Sequence, residues 1–420
     1  MKTGRTKNVA MVDNADGMLL RNQIKILQYL QRVGKATRTE LAAHTGLTQA
    51  AVSKITAHLI ATGTIEESGL LTGRLGRRSI ALSIRSDGWK VIGVKLSRRN
   101  YAVGLFDLSG QMLRQVKREI AVGQGFEEAF EQIKIVVMGY IAEFEDVAAI
   151  GVSVPGPFLS KEKKILLISE YGVDARRDIN LSEIFSSREF GGKPVILSHD
   201  ANAGVLADWW FGIEDRIFKG IVVHYLLGEG VGAGVIIDGQ IFDGAQGASA
   251  EIGHVSVDGD GERCACGNYG CLEMYCSSLA FLEDAYERRL LSPDSSLNRY
   301  QHLTPEIVFD AARAGDQAAV ASVDRVAHYI GLGLVNIVNC FNPSTVILCN
   351  EMAVGGEYLL EKVKEVAKQR LIPFIFETVD ICVSKFKGDD ILFGAAAVAI
   401  DYCLKNPGCL TITEKKEVLS

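Results

Sequence analysis

Apolar residues fall at helical spacing from the start of the chain. In "LLRNQIKILQYLQRVG", Leu20, Ile24, Leu27 and Tyr29–Leu30 recur at helical spacing. A second short helix fits "TRTELAAHTG", with Thr37 or Thr39 placed to cap it and Gly46 to end it. Thr48 then caps a third helix, "TQAAVSKITAHLIATG", which closes at Gly63. The period changes in "TIEESGLLTGRLGRRSIALSI", which predicts two strands around a glycine-rich basic loop.

From Trp89 the pattern is that of a layered α/β body. "KVIGVKLS", "YAVGLFDLSG" and "MLRQVKREIAV" predict three consecutive strands, followed by an amphipathic helix in "GFEEAFEQIKIVVMGYIAEF". "VAAIGVSVPGP" predicts a buried strand, and "PVILSHDANAGVLADWWFG" a strand running into a helix. Strands recur in "FKGIVVHYLL", "VGAGVIID" and "GQIFDG". Helices follow near 304–314 and 316–341, then strand "STVILC", a helix near 356–371, strand "VDICVS" and a last helix near 389–404. Three strands followed by helix–strand units therefore appear twice, which predicts two lobes with a cleft between them. The expected divisions are 1–85, a first lobe 88–200 completed by the helix at 389–404, and a second lobe 201–388 carrying the dimerisation surface.

Charge divides the chain in the same place. Residues 1–85 hold 13 Lys and Arg against 5 Asp and Glu, whereas the whole chain has a net charge of −6. A basic module joined to an acidic body points to nucleic acid as the partner of the first part. Asp13, Asn14 and Asp16 interrupt any apolar run at the N-terminus, so no signal peptide is expected. No stretch of about 18 uninterrupted apolar residues predicts a membrane span; "YIGLGLVNIVNCF" is broken by Asn336 and Asn339. A cytoplasmic protein is expected. Nine cysteines without a secretion signal read as thiols or metal ligands rather than a disulfide framework.

The three helices of the basic module have the spacing of a helix-turn-helix. Ala42 is small where two helices touch, Gly46 permits the turn, and Val52 anchors the second helix. The outward face of the third helix offers Thr48, Gln49, Ser53, Lys54 and His58 to a major groove. The hairpin that follows is a wing whose Arg74, Arg77 and Arg78 suit phosphates or a narrow minor groove. Double-stranded operator DNA is the expected partner.

One stretch of the body, "EIGHVSVDGDGERCACGNYGCLE", holds a histidine and three cysteines. His254, Cys264, Cys266 and Cys271 make a Cys₃His set suited to tetrahedral Zn²⁺, with Gly261, Gly267 and Gly270 letting the backbone fold around the ion. All four ligands come from the chain, so one structural zinc is expected. Cys276, Cys340, Cys349, Cys382, Cys403 and Cys409 do not cluster in this way and read as core or surface thiols.

Together these motifs resemble the ROK family (repressors, open reading frames and kinases), in its branch of sugar-responsive transcriptional repressors of the xylose and N-acetylglucosamine type. "TELAAHTGLTQAAVSKITAHLIATGTIEE" looks like the family's DNA-binding module. "GVSVPGP", "DANAG", "GEGVGAGVIIDGQIFDGAQGASAEIGHV", "CACGNYGCLE" and "GLGLVNIVNCFNPSTVIL" match its body in order. The resemblance implies a winged helix-turn-helix followed by an actin-like (ribonuclease H-like) two-lobed α/β body with a sugar cleft. It places His199, Asp200, Glu251, His254 and Glu273 at the sugar, with Asp200 where the kinases keep their catalytic base. Carboxylates and imidazoles can bind a ring of hydroxyls, and zinc on one nitrogen of His254 would orient the other toward the sugar. A homodimer or dimer of dimers is implied.

The chain departs from the kinases of the family on the nucleotide side. Their Asp-x-Gly-Gly-Thr loop is replaced by "GVKLSRRN", their Gly-Thr-Gly by Gly228-Glu229-Gly230, and a glycine run by "CNEM" from Cys349 to Met352. A carboxylate at 229 repels phosphate oxygens. His199 also stands where kinases commonly have Asn. The expected function is therefore a non-enzymatic repressor released from its operator by a sugar or sugar derivative. The alternatives are a regulator controlled by a protein partner, such as a sugar-transport component, and an active sugar kinase.

Overall fold

The computed structural model describes residues 15–72, 78–97, 99–120, 126–167, 177–212, 218–386 and 389–410. It begins with helix α1 (Ala15–Val33), strand β1 (Lys35–Thr37), helices α2 (Arg38–Thr45) and α3 (Gln49–Ala61), and the hairpin β2 (Ile65–Thr72) and β3 (Arg78–Ile84). Thr37 is the residue that caps α2. Its hydroxyl accepts from the Glu40 N–H at 3.3 Å, and the Glu40 carboxylate accepts from the Thr37 N–H at 2.8 Å. Gly46 ends α2 in the left-handed region at φ 71, donating to the Ala42 carbonyl. Thr48 caps α3 through the Ala51 N–H. Ile26, Leu27, Leu30, Leu41, Val52, Ile55 and Leu59 form the buried interior of the module. The expected hairpin gains a third strand, because β1 pairs with β3 in a sheet of order β1-β3-β2.

The body contains two five-stranded sheets built to one plan. The first uses β4 (Lys90–Leu96), β5 (Asn100–Asp107) and β6 (Met112–Glu119), helix α4 (Phe126–Glu143), and β7 (Val147–Val154). A small sheet of β8 (Phe158–Leu159), β9 (Lys164–Leu167) and β10 (Arg177–Asn180), and helix α5 (Leu181–Ile184), precede β11 (Val195–His199) and helix α6 (Asp200–Phe211). The second uses β12 (Ile221–Leu227), β13 (Val231–Ile237) and β14 (Gln240–Ile241). Four helices follow: α7 (Glu273–Cys276), α8 (Ser278–Leu290), α9 (Pro305–Arg313) and α10 (Gln317–Phe341). Strand β15 (Thr345–Cys349), helices α11 (Gly356–Arg370) and α12 (Pro373–Thr378), strand β16 (Asp380–Val383), helix α13 (Asp390–Lys405) and a 3₁₀ turn (Pro407–Leu410) come last among the described residues. The orders are β11-β7-β4-β5-β6 and β14-β13-β12-β15-β16. In both, the first strand lies at the centre, with two antiparallel strands on one side and two parallel strands on the other. This is the repeat that the alternation of strands and helices predicted.

Helices α6 and α13 cross between the sheets, α13 against β4 and β7, and α6 against β12 and β13. They touch closely: a Cβ on Gly394 would lie 2.4 Å from the Ala203 carbonyl group, so only glycine fits there. Helix α10 is long and apolar enough to cross a bilayer by length and composition alone. It is a core helix here, with Val323, Val326, Ile330, Leu334 and Ile337 buried among α8, α9 and α11. Helix α1 packs against both α6 and α13, so the N-terminal module is docked on the body at the crossing.

Candidate functional sites

On the module, Thr48, Gln49, Ser53, Lys54 and His58 are all exposed along α3. The residues between them in the helix, Val52, Ile55 and Leu59, are buried. The face is therefore available to a groove while the opposite face holds the fold. Arg78 opens β3 and is exposed. Arg74 and Arg77 lie outside the described residues.

The metal loop leaves the body after β14. His254 ends a short 3₁₀ turn, and Cys271 lies two residues before the start of α7. Bridges between Ser256 and Cys271 and between Arg263 and Tyr269 fold the loop back on itself. The Cys264 N–H donates to the Asn268 carbonyl and the Gly267 N–H to that of Cys264, a tight turn that presents the Cys264 and Cys266 thiols. The four candidate ligand atoms lie within 4.8 Å of one another. His254 Nδ1 is 3.7 Å from Cys264 Sγ, and Cys266 Sγ is 3.6 Å from Cys271 Sγ. Tetrahedral zinc with sulfur at about 2.3 Å would space its ligands at about 3.8 Å, so the donor set fits the ion. Burial and the neighbouring thiols push the Cys271 thiol up to about 12. A dication among these sulfurs reverses that preference by favouring thiolate. All nine cysteines are free of disulfides.

The same histidine lines the interlobe cleft. His199, Asp200, Glu251, His254 and Glu273 come together there, around a small space of about 70 Å³ that opens to solvent. Asp200 opens α6 and pairs with His199, Nε2 to Oδ1 at 3.2 Å. Glu273 opens α7, and its Oε2 accepts from the Val231 N–H at 2.8 Å. Burial pushes the Glu251 carboxyl above its ordinary value, against the pull of His199 and His254. With Nδ1 of His254 on the sulfur side, Nε2 is left for the cleft.

The rest of the lining comes from the stretches that stand where the kinases of the family keep their nucleotide loops. Lys95 on β4 and Glu229, Asn350 and Glu351 of the second lobe line the cleft. Ser278 Oγ donates to Glu351 Oε2 at 2.5 Å. Asn350 takes a strained backbone, φ 68 and ψ −151, and its side chain accepts from the Glu351 N–H.

A second histidine–carboxylate group was absent from the sequence reading altogether. His224 on β12 donates from Nδ1 to Asp208 of α6 at 2.6 Å and from Nε2 to Asp390 of α13 at 3.1 Å. Ser384 adds a hydrogen bond to Asp208 at 3.0 Å. All three charged side chains are almost wholly buried. Burial alone would lower the His224 pKa, but the bonds to Asp208 and Asp390 outweigh it and push it up to about 9. Cys349 lies close enough to make a three-ligand metal group with Asp208 and His224. Each imidazole nitrogen already has a carboxylate at hydrogen-bonding distance, so we read the group as a closed ionic clamp. The available signal was a histidine inside the otherwise apolar strand "IVVHYLL".

A duplicated α/β body with a polar cleft, a Cys₃His loop at its wall and a winged helix-turn-helix in front define a class of protein in which ligand binding and DNA binding are joined. Residues 91–402 match the ROK family, and residues 19–66 match the winged helix-turn-helix DNA-binding family. The chain belongs to the ROK family. It is 29% identical over 397 residues to a xylose repressor of Caldicellulosiruptor bescii, covering 92% of this chain and 97% of that one. It is 32% identical over 320 residues to a glucokinase of Thermotoga maritima, covering 74% and 96%. A solved ROK family transcriptional regulator, a homologue of the E. coli Mlc protein, superposes with a TM-score of 0.75 at 25% identity, covering 94% of this chain and 99% of that one. Similarity thus runs to repressors along nearly the whole chain and to a kinase along the body.

Proposed function

We propose that the protein is a transcriptional repressor that binds a two-fold operator as a dimer and is released by a sugar in the interlobe cleft. The module within residues 1–85 reads DNA. The lobes 88–200 and 201–388, with the helix at 389–404, close on the ligand. The observation that carries this reading is the make-up of the cleft. Its sugar wall has Asp200, Glu251, His254 and Glu273, while the other wall carries Glu229 and Glu351. Carboxylates suit hydroxyls and oppose a triphosphate, whose transfer needs Mg²⁺ and amides cradling the phosphates. The protein is therefore expected to bind a sugar without phosphorylating it.

One zinc ion held by His254, Cys264, Cys266 and Cys271 fixes the loop and the orientation of His254. Elemental analysis should give one zinc per chain, and Cys264→Ser with Cys266→Ser should abolish it. Unchanged metal content in that double variant would overturn the assignment.

The functional reading is tested with the full chain and an operator duplex selected by it from random DNA. D-Xylose, D-glucose and N-acetyl-D-glucosamine are screened by thermal shift, since a ligand of the folded state raises its stability. A sugar that binds and weakens operator binding without being consumed with ATP supports the reading. Turnover with ATP would move the protein to the kinases. A folded, operator-binding chain that ignores every sugar would favour control by a protein partner such as a sugar-transport component.

A further inference from the structure

We infer that helix α6 is the rod joining the sugar cleft to the DNA-binding module, and that Arg32 is the positioning residue through which the module senses it. This rests on the functional reading above. The two ends of α6 face different sites. Asp200, its first residue, lines the cleft. Trp209, in its last turn, carries the guanidinium of Arg32 from α1 at 4.3 Å over its ring. Nine residue steps along the helix separate Asp200 from Trp209, about 14 Å.

The rod is fixed beside Trp209. Asp208 is held by His224 from β12, and the same imidazole holds Asp390 at the start of α13. The helix therefore moves with β12 as one body. A shift at Asp200 is carried to Trp209, because a packed helix with a clamped side chain does not absorb it by bending.

The module reads that end through few contacts. Arg32 Nη2 donates to the Phe218 carbonyl at 2.6 Å, and Phe218 in turn stacks beside Trp209. Tyr29, one turn before Arg32, stacks on His44 at the end of α2, with ring centroids 3.9 Å apart. The path thus runs from α6 to α1 and into the helix-turn-helix. Around Arg32 the seam is not filled. A gap of about 280 Å³ lies between Lys25, Gln28 and His44 of the module and Trp210, Asp238 and Gln240 of the body. The apolar core of the module runs on into that of the body, so Arg32 is a polar contact at the edge of a packed interface, and the open seam beside it leaves room for the module to shift when that contact moves. Burial lowers the Arg32 pKa from its ordinary value, yet a guanidinium stays charged, so the contact persists through the physiological range.

The test compares the full-length wild type with Arg32→Met, which keeps the aliphatic stem, and Arg32→Lys, which keeps a cation over Trp209. Small-angle scattering without sugar examines the pin itself. Arg32→Met should broaden the particle and lengthen its maximum dimension, Arg32→Lys should restore much of the wild-type profile, and identical profiles for all three would overturn the pin. Operator titrations then use whichever of D-xylose, D-glucose and N-acetyl-D-glucosamine gives the largest thermal shift. The wild type should lose roughly 5- to 150-fold in operator affinity when that sugar is added. Arg32→Met should bind the sugar within about twofold of wild type, yet lose less than about twofold in operator affinity. A full sugar response in Arg32→Met overturns the inference. A wild type that binds sugar without losing operator affinity overturns the functional reading, while the scattering result still decides the pin.

Discussion

Near each end, helix α6 brings a carboxylate to a histidine of a neighbouring strand, Asp200 to His199 of β11 and Asp208 to His224 of β12, and the two sets are built in opposite ways. In the last turns, Asp208 meets His224, whose other nitrogen meets Asp390, and none of the three is more than 2% exposed. At the first turn, His199 and Asp200 touch at 3.2 Å but remain 11% and 23% exposed, and line an open cleft together with Glu251 and Glu273. The same side-chain types thus serve as a clamp where they pair with one another out of water, with Asp390 Oδ1 left without a hydrogen bond. They serve as a ligand wall where like charges face each other with solvent between. The difference lies in closure, and it predicts opposite responses to mutation.

The largest effect is expected from His224→Ala. It leaves two buried carboxylates facing each other and should cost about 3–5 kcal/mol of stability, measured by denaturant unfolding at pH 7. Asp200→Ala should change stability by less than about 1 kcal/mol, since it relieves a crowded acidic wall. Equal losses in the two variants would erase the distinction between clamp and cleft.

The pH dependence sharpens the comparison. His224 has its folded pKa raised to about 9 from 6.5. Its contribution is therefore fully present below pH 6.5 and lost as pH rises through about 9. The shift corresponds to about 3 kcal/mol, read as the difference between wild type and His224→Ala across that window. A difference that stays flat from pH 6 to 10 would show the imidazole to be neutral in the fold.

A smaller effect is expected on ligand affinity. Asp200→Ala and Glu273→Ala should each weaken sugar binding by about 1.5–3 kcal/mol, the worth of a hydrogen bond to a charged group. Calorimetry would measure this, while operator affinity without sugar stays at the wild-type value. Least of all, Lys54→Ala on α3 should weaken operator binding about threefold to tenfold and reduce the salt slope by about one, with no change in sugar affinity.

Much of this molecule was legible in the sequence where the signal is local. The Thr37–Glu40 capping box, the Gly46 turn and the Thr48 cap lie within a few residues of what they stabilise. The strand order repeats because the element order repeats. The four candidate zinc ligands, 18 residues from first to last, fold onto one another. Features made by distant pairing were not legible. Strand β1 exists because Lys35–Thr37 meets Ala81–Ser83, and the small sheet β8–β10 because separate short segments pair. Helix α8 could have been read, since Ser277 caps it and Phe281 and Ala285 mark its inner face. His224 finds its partners 16 and 166 residues away, so the strand pattern shows a misplaced histidine but not its clamp. Of the cleft, the sugar residues and the stretches around Lys95, Glu229 and Asn350 were marked by the family motifs, whereas the closing of these distant segments on one space depends on the approach of the two lobes.

The central claim is that a sugar in the cleft and operator DNA on α3 oppose each other through the body. Its most direct test is a titration of a fluorescent operator duplex with the full chain at fixed salt, with and without a saturating amount of the sugar that binds best. The account predicts a loss of affinity of roughly 5- to 150-fold, with operator weakening sugar binding by the same factor. Sugar bound at saturation with the operator titration unmoved would contradict it.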